Sequence, residues 1–304
     1  MLVRRIKIIH FIWIVSPQLD YSVMKFLQFM GCNVIYTAHN PFPHERGDEH
    51  IKKYARIYQT VDHIIALTEY TKQKIVECAG VGEVKISVIP HGDYAPLFST
   101  YKINDDLVGA LKKKAAGRKV ISFLGLIRPY KGLDFFIEAI DLIKMEMPNS
   151  FFVIAGASLI TDKEKLRRRL ETPITNNDLW ADIRFIPNEN FVAYLSVTDV
   201  LVQPYLNASQ SGNTVMAYSA GIPVVSTDVG GLAEMTADDK TGYIVPPGNS
   251  AAIAEAVIKC FSRDNYQRLS DNARKAATEK YGWSKIADQT LSIYRNLENR
   301  DARA

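Results

Sequence analysis

The sequence predicts an α/β protein built from two doubly wound parallel sheets, and three observations carry that prediction. Short apolar runs rich in β-branched residues alternate from end to end with longer segments of helical periodicity. At 304 residues the chain is long enough for two cores of ordinary size. Polar, glycine-containing loops follow strands just where helices begin, most clearly in DVLVQPYLNASQSGNTVMAYSAGIPVVSTDVGG over 199–231. Alternation of this kind means parallel strands joined by crossover helices that cover both faces.

Taken in order, 6–15 reads as a strand and 20–31 as a helix ended by glycine. A strand over 33–37 stops at the loop Ala38-His39-Asn40-Pro41-Phe42-Pro43-His44. A helix over 45–59, a strand over 63–67 and a helix over 69–79 follow, with Thr68 placed as an N-cap. The strand 85–89 ends in Pro90-His91-Gly92-Asp93. Residues 94–118 lose the apolar period and carry Pro96, Ser99, Asn104 and three lysines at 112–114, which predicts an interdomain connection.

The second domain opens with a strand over 119–124. A helix over 133–147 then shows an apolar face at Leu133, Phe136, Ile137, Ile140 and Ile143. A strand at 151–155, a basic helix near 164–171, a strand at 183–186 and a helix at 191–197 lead to the central stretch. There, strands at 199–205 and 222–227 flank a helix at 214–220. Helices at 251–261, 263–281 and 283–297 finish the chain. The domains expected are 1–98, shortened at its N-terminal side, then 115–281, with 282–304 a helix crossing back toward the first. The opening strand is as apolar as one covered on both faces in mid-sheet. No strand–helix unit precedes it in this sequence, so either the chain begins late or something else, a partner chain or an oligomer, is expected to cover that edge.

Composition narrows the chemistry. Hydrophobic residues make up 47% and charged residues 23%, as in soluble globular proteins. A net charge of +4 suits an anionic small molecule or a peripheral membrane contact and is too small to argue nucleic acid. Cys32, Cys78 and Cys260 are scattered without metal spacing, which suggests reduced thiols in a cytoplasmic protein. Arg4, Arg5 and Lys7 ahead of an apolar run imitate a signal peptide. That run contains His10 and Trp13, lacks a small-residue cleavage site, and falls far short of the ~20 residues that span a bilayer.

The candidate site follows from strand ends. A strand feeding the helix that starts near Ser211 aims free N–H groups and a positive dipole end at the crevice above the sheet. In open α/β sheets that crevice binds ligands, and this one suits an anion. The strand 119–124 runs into Gly125-Leu126-Ile127-Arg128-Pro129-Tyr130-Lys131-Gly132, which puts two cations at a helix start. Cations there oppose the helix dipole, so a diphosphate that they would neutralise is a better reason for them than solvation. A glycine pair, Gly230 and Gly231, allows either close backbone approach or an ordinary tight turn. The chain has no G-x-x-x-x-G-K-[ST] loop, no G-x-S-x-G elbow, no H-E-x-x-H and no Asp-x-Asp pair. Neither a metal nor a cofactor is expected. The basic helix KEKLRRR over 163–169 reads as a solvated face before it reads as a lipid contact.

FLGLIRPYKGLDFFIEAI, the SQSG–helix–GIPVVSTDVGGLAE run and KTGYIVPPGN resemble the nucleotide-sugar domain of retaining GT-B glycosyltransferases of the family-4, or group 1, type. YTAHNPFPHE and VIPHGDY are similar to that family's first-domain motifs, so the resemblance covers roughly 6–298. It implies two Rossmann-like domains, chemistry in the cleft between them, and metal-independent sugar transfer with retention from a nucleotide-diphosphate donor to an acceptor hydroxyl. Lys131 matches the family's phosphate-binding lysine, and Arg128 takes the arginine's role from a shifted position. His39 matches the histidine near the reacting sugar, which makes His39, Arg128 and Lys131 the expected catalytic set. Gly125, Gln210, Ser211, Gly212, Asn213, Thr214 and Glu234, the last from a GG-x-x-E pattern, form the expected donor-binding set. The chain departs from the family where many members carry two glutamates eight residues apart. Those positions are Ala208 and Met216 here, as in an SQSG branch that lacks the pair. Two other readings stay open: a nucleotide-sugar-binding subunit that needs a partner chain, and a GT-B sugar-nucleotide epimerase. The acceptor, whether glycan, lipid or small molecule, is not specified by these motifs.

Overall fold

The computed structural model describes residues 6–42, 48–160, 163–170, 178–262 and 264–301. Pro43, His44 and Glu45 of the predicted loop and helix start lie outside the described residues. The chain divides into two compact units, Met1–Gly92 with Gly282–Ala304, and Asp93–Tyr281. Both are parallel α/β sheets, as the alternation predicts.

The first unit runs β1 (Ile8–Phe11), α1 (Pro17–Phe29), β2 (Asn33–Ala38), α2 (Asp48–Thr60), β3 (His63–Ala66), α3 (Glu69–Ala79) and β4 (Ile86–Val88). Its four strands lie side by side in chain order, all parallel. β2 is buried along its whole length, whereas β1 is half-buried at the edge of the sheet. This corrects the reading of 6–15 as one long buried strand: the paired stretch stops after four residues, and its side chains are half-buried. The cap on α3 is as expected, with Thr68 Oγ1 accepting from Thr71 N at 3.1 Å. Gly80 at φ 62° closes that helix.

The second unit contains α4 (Ala95–Thr100), α5 (Asp105–Ala115), β5 (Lys119–Leu124), α6 (Leu133–Glu146), β6 (Ser150–Ala155), α7 (Lys163–Leu170), β7 (Leu179–Asp182), α8 (Asn188–Val197), β8 (Val200–Gln203), α9 (Gly212–Ser219), β9 (Val224–Thr227), β10 (Gly242–Val245), α10 (Ser250–Cys260) and α11 (Asn265–Glu279). α12 (Trp283–Asp301) belongs to the first unit. There Ile286, Ile293 and Leu297 pack on Ile35, Ile65 and Ile89.

Two sequence expectations fail in the second unit. Residues 94–118 hold two helices instead of an open connection. Asn104 Oδ1 accepts from Leu107 N at 3.0 Å, acidic residues open α5, and Lys112, Lys113 and Lys114 close it. The lysine run therefore complements the helix dipole, while Leu111 and Ala115 enter the core. The strand expected at 183–186 is formed instead by Leu179–Asp182. Arg184 turns back to Asp182, Nε to Oδ1 at 2.8 Å, and Phe185 is 77% exposed.

The second sheet has the order β10-β9-β8-β5-β6-β7, all parallel. The chain moves outward from β5 through β6 to β7, then returns beside β5 with β8 and continues the other way. The switch point therefore lies between β5 and β8, where helices depart to opposite sides and leave a crevice beyond the strand ends. Phe123, Phe136 and Phe152 pack on one face of this sheet, and Val153, Tyr194, Val215 and Tyr218 on the other. Among the described residues, no helix is long and apolar enough to cross a membrane.

Candidate active site

The loops after β5 and β8 meet at the switch point. After β5, Gly125 adopts φ 103°. A Cβ there would lie 2.6 Å from Asn213 Nδ2, the group that donates to Leu124 O at 2.7 Å. Glycine at 125 thus lets the first turn of α9 fasten onto the end of β5. Farther along, Pro129–Lys131 forms a single 3-10 turn closed by Gly132 at φ 66°. A Cβ on Gly132 would fall 1.9 Å from Pro204 O, so the Lys-Gly pair is fixed by close approach to the loop after β8.

That approach delivers Lys131 to Tyr205. Lys131 Nζ donates to Tyr205 Oη at 2.9 Å and lies 4.4 Å from the centre of its ring. Gln203, at the end of β8 and buried, extends the chain of contacts. Its Nε2 lies 3.5 Å from Tyr205 Oη and donates to Ser211 Oγ at 2.8 Å, while its Oε1 accepts from Thr214 Oγ1 at 2.6 Å. Lys131, Ser211 and Thr214 are therefore joined through one polar chain.

Ser211 occupies the N-cap position of α9 but makes no side-chain cap. Its hydroxyl is turned to Gln203, and its amide donates to Met235 Sδ at 3.2 Å. The first-turn amides of Gly212 and Asn213 are left without a side-chain acceptor, which is the arrangement that binds anions at helix starts. Gly212 is also approached by Tyr94, whose Oη would be 2.9 Å from a Cβ at that position. Gln210 Oε1 is buried with no hydrogen-bond partner among the described residues. A buried acceptor of that kind is costly unless a ligand or water completes it.

The remaining expected residues make no side-chain hydrogen bond shown to this chain of contacts. Arg128 occupies the N-cap position of the turn that carries Lys131, without a side-chain cap. Glu234 is exposed, and its carbonyl accepts from Lys280 Nζ at 2.9 Å. Ala208 is buried against Tyr205 and Leu232, and Met216 packs on the core beneath α9.

His39 sits in the first unit, just past β2. Its ring stacks on Trp13 with centroids 4.2 Å apart and lies 6.4 Å from His91. Burial, and secondarily His91, holds its pKa below the ordinary histidine value. Its Nε2 is buried without a partner among the described residues. It lines a cavity of about 220 Å³ together with His10, Thr37, His91 and Trp283.

Sequence reasoning did not single out Gln203, Tyr205 and Tyr94. A glutamine within the buried run VLVQPY was a usable signal, because an amide inside an apolar strand needs partners. Tyr94 carried no such signal.

The family model for glycosyl transferases group 1 matches residues 110–276, more than half of the chain. The chain belongs to that family. The model for Glycosyltransferase Family 4 matches residues 2–92. An uncharacterized glycosyltransferase of Methanocaldococcus jannaschii is 26% identical over 255 residues, 81% of this chain and 63% of its own. The phosphatidyl-myo-inositol mannosyltransferase of Mycobacterium leprae is 27% identical over 184 residues, 59% of this chain and 47% of its own. This group 1 chain thus spans less than two thirds of the length of such relatives. In fold it is similar to the Anabaena protein HepE, solved with UDP, at a TM-score of 0.80 and 16% identity, covering 95% of this chain and 79% of that one. It is likewise similar to sucrose-phosphate synthase from Thermosynechococcus elongatus, at 0.78 and 20% identity, covering 96% and 74%. These neighbours share the two-domain GT-B architecture.

Proposed function

We propose that the protein transfers a sugar from a nucleotide-diphosphate donor to an acceptor hydroxyl, with retention at the anomeric carbon and without a metal. The observation that carries this reading is the linkage of Lys131 to the uncapped start of α9 through Tyr205 and Gln203. A cation and a set of free amides on one polar chain suit a diphosphate. In support, HepE has also been solved with UDP-glucose.

In the proposed mechanism, Lys131, Arg128 and the amides of Gly212 and Asn213 hold the diphosphate and take up the charge that grows on it. The bond from the anomeric carbon to the phosphate oxygen breaks as the acceptor oxygen bonds to that carbon on the same face. The departing diphosphate accepts the acceptor's proton. Gln210 Oε1 receives a hydroxyl or N–H of the donor, in place of the carboxylates that Ala208 and Met216 cannot supply. His39, held neutral by burial, is assigned to contact with the sugar being transferred.

The test is calorimetric binding of uridine diphosphate to wild type and Lys131→Ala. A cation and a phosphate ~4 Å apart attract by roughly 4 kcal/mol at an effective dielectric near 20. Partial exposure of Lys131 reduces that figure, so the variant is expected to bind about 10- to 100-fold more weakly. Equal affinity would remove Lys131 from the site. Binding without transfer or donor hydrolysis would favour a non-catalytic donor-binding subunit. Epimerised donor in the absence of acceptor would favour the epimerase reading.

A further inference from the structure

The start of α9 is met by a polar group from outside the chain of contacts through Gln203. Along this eight-residue helix, Gly212, Met216 and Ser219 recur at helical spacing on a half-buried face. Tyr94 lies along that face. Its amide donates to Ser219 Oγ at 3.1 Å, at the last residue of α9, and the Ser219 hydroxyl in turn donates to Val215 O at 2.9 Å. One residue earlier, Asp93 N donates to Tyr281 O at 2.7 Å, so the backbone is fixed at two successive positions. From this anchor the side chain runs to the other end of the helix. A Cβ on Gly212, the first helical residue, would lie 2.9 Å from Tyr94 Oη and 3.7 Å from its Cζ. The hydroxyl is thus the part of Tyr94 that comes nearest to Gly212.

Glycine at 212 is not required by the backbone, because its φ is not among the positive ones. Glycine also weakens a helix, so its place here needs another reason. Room for the Tyr94 hydroxyl is one. Burial raises the pKa of Tyr94 above the usual 10, so the group stays protonated at neutral pH and can donate. Its neighbours at the helix start are committed elsewhere: Asn213 Nδ2 donates to Leu124 O, and Ser211 Oγ accepts from Gln203. The amides of Gly212 and Asn213 face an anion with two N–H groups, and a phosphate has more acceptor positions than these fill.

We infer that the Tyr94 hydroxyl donates a hydrogen bond to a phosphate oxygen of the diphosphate seated on the α9 amides, and that residue 212 is glycine to let it reach there. The inference rests on the reading of this site as one for a nucleotide diphosphate. It adds a third donor at the helix start, supplied by the segment that leads into α4.

The test is calorimetric binding of uridine diphosphate and, in parallel, guanosine diphosphate to the full 304-residue chain as wild type, Tyr94→Phe, Gly212→Ala and the double variant. Phenylalanine keeps the ring that packs on the core of the second unit, so the melting temperature and circular dichroism of Tyr94→Phe are expected to match wild type. Removing one hydrogen bond to a charged group is expected to weaken binding of whichever nucleotide wild type takes by about 10- to 100-fold. Gly212→Ala displaces the hydroxyl and is expected to cost a similar factor. Without the hydroxyl, the added methyl meets only ring carbons, at ordinary contacts of 3.7 and 4.0 Å. In the Tyr94→Phe background, Gly212→Ala is therefore expected to change affinity by less than about 2-fold. Equal affinity of Tyr94→Phe and wild type overturns the inference and leaves the diphosphate reading in place. So does a Gly212→Ala loss that persists in full without the hydroxyl, which would mean that the glycine clears room for the nucleotide itself. Wild type that binds neither nucleotide overturns the reading of the site, and this inference with it.

Discussion

Replacing Gln203 by leucine breaks the polar chain at its centre. Gln203 is 1% exposed and serves Ser211 Oγ at 2.8 Å and Thr214 Oγ1 at 2.6 Å. Leucine fills similar volume but leaves both hydroxyls buried, at residues 5% and 0% exposed. Each buried polar group deprived of its partner costs about 1–3 kcal/mol, and the added apolar burial returns about 1 kcal/mol. The net expectation is a loss of about 1–5 kcal/mol from the second unit. Hydrogen exchange in graded urea, followed in peptides from β8, α9 and β9, reads that unit by itself. Adding Thr214→Val removes one stranded hydroxyl, so the double variant is expected to recover part of the loss. A cost below about 1 kcal/mol for Gln203→Leu, with no recovery in the double variant, would refute the claim that this amide organises the site.

Other predictions follow from the same geometry. Gly132→Ala places a methyl 1.9 Å from Pro204 O at φ 66°, so it is expected to destabilise the second unit by more than about 1 kcal/mol and to weaken uridine diphosphate binding; thermal melting and calorimetry check both. Gly92→Ala puts a Cβ 2.3 Å from the Trp283 ring, which is half exposed and able to shift, so a change in tryptophan fluorescence with little loss of stability is expected. His10 bridges Tyr294 Oη at 2.7 Å and Thr37 Oγ1 at 2.8 Å, and burial lowers its pKa from 6.5 to about 4. Above pH 6.5 both folded and unfolded chains hold this ring neutral, and the contribution is fully present. As pH falls from 6.5 toward 4 the unfolded chain takes up a proton that the folded one refuses, and stability drops by up to about 3 kcal/mol. His39 and His63 are lowered too and act in the same direction. Urea melts of the first unit across that pH range check this, with His10→Gln expected to flatten the profile.

Much of this was legible in the sequence because parallel strands buried on both faces leave continuous β-branched runs, and VISFL, FFVIA and VVST do so without ambiguity. The loops after β5 and β8 were equally readable, since glycine and polar residues at strand ends have few other uses. Two kinds of information were missing. Apolar pattern does not report where strand pairing stops, so 6–15 looked like one long buried strand while the structure pairs only Ile8–Phe11 there. Single-residue close approaches are also invisible until the fold exists. Lys131 owes its position to Gly132 fitting against Pro204 O, and Ser211 faces Gln203 instead of capping α9. The helix at 105–115 was obscured because its lysines resemble a linker until its Asn104 cap and its buried Leu111 are considered together.

The central claim is that one diphosphate is held jointly by the turn after β5 and the start of α9. Hydrogen-exchange mass spectrometry with saturating uridine diphosphate, and in parallel guanosine diphosphate, tests it most directly. At least one of the two nucleotides should slow exchange in the peptide covering Gly125 to Gly132 and, at the same ligand concentration, in the peptide covering Gln210 to Thr214. Protection of one peptide without the other, or of neither by both nucleotides, would contradict it.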